Sequence, residues 1–121
     1  MFDVSVRVDS FGGRHRAILL QDTETFLRQL AAFESSRSGS VVLRGRGAPL
    51  SGGDYELCIS AHGHAGRYRV DFQLSEAHHS SSAQDSVTLS CRGGFISSSG
   101  EFLPVVRGFQ KLLHEVKNND A

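Results

Sequence analysis

A chain of 121 residues with 39% hydrophobic and 21% charged side chains has the make-up of a folded globular protein, and its length is that of a single domain spanning 1–121. Thirteen basic residues balance thirteen acidic ones, which argues against a protein whose main task is gripping nucleic acid. No run approaches the ~20 apolar residues needed to cross a bilayer. Cys58 and Cys91 form neither a CxxC pair nor a zinc-ligand spacing, and no basic segment with an apolar run opens the chain. Reduced thiols and a cytoplasmic setting are the expectation.

The first stretch, residues 2 to 34, changes period once. Phe2, Val4, Val6 and Val8 alternate with Asp3, Ser5, Arg7 and Asp9, the pattern of a strand with one wet face. Gly12-Gly13 is expected to supply the turn, and Arg14 to Leu20 the returning strand. That strand is apolar on both sides near its end, through Ala17 and Leu19 on one and Ile18 and Leu20 on the other. From Asp22 the spacing becomes helical: Phe26, Leu30 and Phe33 form a stripe that Leu27 and Ala31 widen. Asp22 is placed to cap the first turn, with Thr23 or Thr25 as competing readings, and the polar run Ser35 to Gly39 ends the helix.

Ser40 to Arg44 reads as a short third strand and the glycine-rich Gly45 to Gly53, with Pro49, as a loop. Asp54 to Ala61 and Arg67 to Leu74 alternate cleanly around a turn at His62 to Gly66, with Tyr55, Leu57 and Ile59 facing inward beside Tyr68, Val70, Phe72 and Leu74. Glu76 to Asp85 is polar and serine-rich, the composition of a loop. Ser86 to Arg92 is a sixth strand whose continuation past Gly93-Gly94 would carry a bulge. Phe102, Val106, Phe109, Leu113 and Val116 then repeat at helical spacing, and Pro104 requires that helix to begin near residues 100–103. Hairpin connections make an antiparallel sheet, and two helices can cover only one of its faces. The expected fold is α+β: about six strands with both helices on one face, in the order ββαββββα.

Several stretches bring a known family to mind: Phe11-Gly12-Gly13-Arg14-His15-Arg16-Ala17, then Asp22-Thr23-Glu24-Thr25-Phe26, a glycine-turned hairpin over Ser60 to Arg67, and Phe102-Leu103-Pro104-Val105-Val106 at the start of the closing helix. In order and spacing over roughly residues 2 to 116, the chain resembles the WapI-type immunity proteins of bacterial polymorphic toxin systems. That resemblance implies a cytoplasmic protein without catalytic activity or cofactor, which binds and occludes a toxin domain.

The residues offer one candidate binding surface. If the helices cover the valine-bearing face, the other face shows Arg7, Arg14, Arg16, Arg67, Arg69 and Arg92, and pairing of successive strands could bring these toward one edge. Arginine's planar fork suits a protein partner's carboxylates; the competing reading is a solvated strand face, and a homodimer is another way to cover it. A second class of function, a small-ligand or metal site with enzymatic chemistry, would use His62 and His64 with His78 and His79. Two flexible turns hold metal ligands poorly, so surface histidines are the simpler reading, and no metal or cofactor is expected. Cys58 and Cys91 lack a neighbouring group that would activate a thiol, and no GxSxG elbow or phosphate-binding glycine loop occurs.

Overall fold

The structure is a computed structural model that describes residues 1–49, 52–63, 66–79 and 86–119, with the backbone alone for 78, 79, 86, 99 and 114–119. Its elements are β1 (Phe2–Val8), β2 (Phe11–Gln21), α1 (Thr23–Ser36), β3 (Ser40–Gly47), β4 (Asp54–Ala61), β5 (Tyr68–His79), β6 (Ser86–Ser97) and α2 (Phe102–Asn119), the last preceded by a single 3₁₀ turn at Ser99–Glu101. All six strands pair antiparallel in one sheet, in chain order from β1 to β6. The fold is α+β in the expected order, and both helices pack on the face that carries the alternating apolar residues. Burial follows the period: Val41, Leu43, Tyr55, Leu57, Ile59, Tyr68, Val70, Phe72 and Leu74 are all inside with Phe26, Leu30 and Phe33 of α1 and Phe102, Val106 and Leu113 of α2.

Several local expectations are corrected. The first turn is Asp9-Ser10, between the paired Val8 and Phe11, with Asp9 at φ 56°. Gly12 and Gly13 therefore lie inside β2, and a Cβ on Gly13 would sit 3.1 Å from Cys91 Cβ. Glycine there lets β2 approach β6 across the concave side, so the sheet curls toward closure. In β2 the register slips: Val4 faces His15 but Phe2 faces Ile18, which makes Arg16-Ala17 a bulge. His15, Ile18 and Leu20 consequently share the inner side while Leu19 points out, so the end of β2 is buried on one face only.

β3 runs on to Gly47, since Ile18 and Leu20 of β2 pair with Gly47 and Gly45. β5 continues through the polar Glu76 to His79, because β6 supplies a partner for each of these residues, and residues 80–85 lie outside those described. β6 is unbroken through Gly93-Gly94, with regular pairing and no bulge. Asp22 does stand at the start of α1, but in the left-handed region at φ 52°, without a side-chain hydrogen bond to the first turn.

The two helices are held differently. α1 lies against β3, and its stripe seals that half of the core. α2 lies against α1, with no comparable backbone contact to any strand among the described residues. Its fixed point is Phe102, fully buried, whose ring is 5.2 Å from Phe33 and 4.9 Å from Tyr68. Arg37, which ends α1 at φ 54° while its N–H donates to the Phe33 carbonyl, lays its guanidinium 4.8 Å from the same ring. Its Nε donates to the Glu34 carbonyl at 3.0 Å, while the buried Nη1 has no hydrogen-bond partner among the described residues and lies by the aromatic face. A second contact, Phe26 edge-on to Phe109 at 5.2 Å, joins the helices two turns further on.

Asp22 holds a left-handed conformation and makes no cap, so its side chain has little to lose. Asp22→Gly is expected to stabilise the protein by roughly 0.5–1 kcal/mol in urea unfolding, where replacing a true N-cap by glycine would lower stability by roughly a few tenths of a kcal/mol.

Candidate functional site

Alternation leaves the outer side of the sheet without a helix. Strand pairing aligns its polar residues in rows: Arg44 stands opposite Glu56, Glu56 opposite Gln73, and Gln73 opposite Arg92. The Arg44 Nε donates to Glu56 Oε2 at 3.2 Å, and Arg92 Nη2 donates to Gln73 Oε1 at 3.0 Å. In the next row Cys58 lies between Val42 and Asp71, and beyond it Ser60 faces Arg69. Arg69 reaches along its own strand to both Asp71 oxygens, at 3.1 and 3.0 Å.

The six arginines singled out from the sequence do not gather at one edge. Arg7, Arg14 and Arg16 belong to β1 and β2, Arg69 and Arg92 to β5 and β6 at the opposite side of the sheet, and Arg67 precedes β5 in the turn. Arg14 forks onto Asp3, its Nε donating to Oδ1 at 2.8 Å and its Nη2 to Oδ2, and this bond holds the Asp3 carboxyl below its ordinary range. The members that sequence reasoning left out are Arg44, Glu56, Asp71 and Gln73. The two cleanest strands already placed Glu56, Asp71 and Gln73 on the outer side; what joins them to Arg44 and Arg92 is the register between β3, β4, β5 and β6. The resulting surface carries both signs of charge, and its exposed pairs contribute little to stability.

The histidines are divided by placement. His62 is half-buried beside a turn where its own N–H donates to the Arg67 carbonyl at 3.0 Å. His64 lies outside the described residues, as do the side chains of His78 and His79. Among the described residues no group of three or more His, Cys, Asp or Glu could hold a metal ion. Among the described residues the buried histidine is His15, which the sequence placed just after a turn. Its Nδ1 accepts the Ala17 N–H at 3.0 Å, so the Nε2 carries the proton and donates to the Gly52 carbonyl at 3.0 Å. This ring ties the loop after β3 to the bulge of β2. A Cβ on Gly47 would overlap the Gly52 carbonyl and meet His15 Nε2 at 2.9 Å, so only glycine fits beneath it.

Neither thiol is poised for nucleophilic chemistry. Burial, with Asp71 and Glu56 nearby, pushes the Cys58 thiol up, the reverse of activation. Cys91 is buried against β2.

The concave side holds a feature that periodicity does not reveal. Because α2 stands off the strands, a hollow of about 400 Å³ opens between it and the floor formed by β4 and β5, flanked by β1 and β6. Beneath α1 the core is closed, with Leu30 at 0% and Phe26, Val41 and Leu43 at 1% exposure; along the hollow Ile59 and Tyr68 are as closed, at 1% and 2%, while Tyr55 and Leu57 at 8%, Val70 at 7% and Phe72 at 6% keep some accessibility. A sealed dry void of that volume would cost on the order of 10 kcal/mol, comparable to the whole stability of a small domain. The hollow is therefore reached by solvent or filled. Burial pushes the Tyr55 phenol up to about 12, so it stays a neutral hydroxyl at the wall.

No protein-family model, no curated protein and no solved structure matches the chain.

His15→Ala removes both bonds and leaves a gap behind β2. It is expected to lower the unfolding free energy by roughly 2–4 kcal/mol in urea titration, and a loss under about 0.5 kcal/mol would contradict the bridging role.

Proposed function

We propose that the protein is a non-enzymatic, cytoplasmic protein-binding module of the immunity type, which neutralises a cognate toxin domain by covering it with the outer face of its sheet. The observation that carries this reading is the row Arg44, Glu56, Gln73 and Arg92, presented across four neighbouring strands on a face no helix covers. Mixed charge of this kind complements another protein surface, where steering and register come from alternating signs. It suits nucleic acid poorly, because Asp3, Glu56 and Asp71 already neutralise Arg14, Arg44 and Arg69. The resemblance to WapI-type immunity proteins supplies the class of partner, and the raised thiol of Cys58 in the middle of this face fits a surface for contact better than one for catalysis.

The test is capture of the toxin-like C-terminal domain of a large secreted protein encoded directly upstream. The double variant Arg69→Glu/Arg92→Glu is expected to weaken capture by roughly 2–5 kcal/mol with an unchanged circular dichroism spectrum. Binding as tight as the parent's by this pair and also by Arg14→Glu/Arg16→Glu would remove the outer face from the account.

A further inference from the structure

The hollow on the concave side is lined by none of Arg44, Glu56, Gln73 and Arg92 and does not depend on that row; of the arginines assigned to the outer face, Arg7 on the edge strand β1 also borders it. Its volume of about 400 Å³ falls within the range of small-molecule sites, roughly 300–1,000 Å³. Its wall is apolar and rich in rings, with Tyr55, Tyr68 and Phe72 from the sheet, Phe95 from β6 and Phe109 from α2. Such a wall offers water few partners and offers an apolar body many contacts. The rim is polar and asymmetric. On the β1 side Arg7 donates its Nε to the Asp9 carbonyl at 2.7 Å, and its terminal nitrogens have no partner among the described residues. On the α2 side Glu101 already accepts a hydrogen bond from the Ser97 hydroxyl. One rim cation with donors to spare, above a greasy chamber, selects an anionic head on an apolar body.

We propose that this hollow is a binding site for a small amphiphile with one anionic head, its body lying against Leu57, Val70, Phe72 and Phe109 and its head at Arg7. α2 forms one wall, its start held against Tyr68 of β5 and its length against α1. Val105, half-buried on α2 and facing the chamber, is the position at which a larger side chain fills it.

The experiment uses anilinonaphthalene sulfonate as fluorescent probe, with decanoate and decanol as competitors, on protein shown to be native by a cooperative thermal transition. The expected result is one saturable site, displacement by decanoate, and a thermal midpoint that rises with decanoate concentration. Val105→Trp should abolish binding while the transition stays cooperative. Arg7→Gln should weaken decanoate about tenfold and leave decanol unchanged, because only the head loses its partner. Absence of saturable binding by the native parent overturns the proposal, as does undiminished binding by Val105→Trp. An equal effect of Arg7→Gln on decanoate and decanol overturns the assignment of the head.

Discussion

The arrangement of the whole molecule depends on one ring. Phe102 is the point where the end of α1, the start of β5 and the start of α2 meet, through Phe33, Tyr68 and the guanidinium of Arg37. Burying a phenylalanine completely and stacking it on two others stabilises by several kcal/mol. That anchor fixes where α2 begins, and the edge contact of Phe26 with Phe109 fixes its direction along α1. Beyond that anchor, α2 makes no backbone contact with a strand comparable to that of α1 with β3 among the described residues. The core is accordingly unequal: dense beneath α1, where β2 to β4 are sealed, and hollow beneath α2, where β4 to β6 keep a gap.

Curvature makes the hollow a chamber rather than a flat shelf. Gly13 lets β2 come against Cys91 of β6, so the two ends of the sheet bend toward each other over the concave side. The same curvature spreads the outer side, and there the side chains have settled into cross-strand pairs, Arg44 with Glu56 and Arg92 with Gln73. One sheet thus carries two chemically opposite faces. The outer one is broad, polar and charged in both senses; the inner one is apolar, with Arg7 and Glu101 at its rim.

Much of this was legible in the residues. Period-two alternation in Phe2 to Val8 and in the Asp54 to Leu74 hairpin stated which side of each strand is wet, and helical spacing in Phe26, Leu30 and Phe33 stated which side of α1 is dry. The failures have a common cause: glycine and polar residues whose purpose lies in a partner far along the chain. Gly12-Gly13 resembles a turn, but the turn is made by Asp9 at positive φ, and Gly13 serves contact with β6. Glu76 to His79 resembles a loop until β6 is laid beside it. His15 shows nothing of its two bonds until the bulge at Arg16-Ala17 turns it inward. On the surface, each arginine was visible singly, yet the row from Arg44 to Arg92 exists only in the register between strands. The chamber had no signal at all, because it arises from the distance between a helix and a sheet, which no local pattern encodes.

The unequal core is the claim on which the concave chamber stands, and native-state hydrogen exchange reads it residue by residue. Amides of α1 from Leu30 to Phe33, sealed against β3, should open only with the whole domain, whereas those of α2 from Phe109 to Leu113 should exchange at least about tenfold faster through a local detachment from α1. Equal protection of the two helices would mean that α2 is bound to the sheet as firmly as α1, and the account of a standing-off helix over a hollow would be wrong.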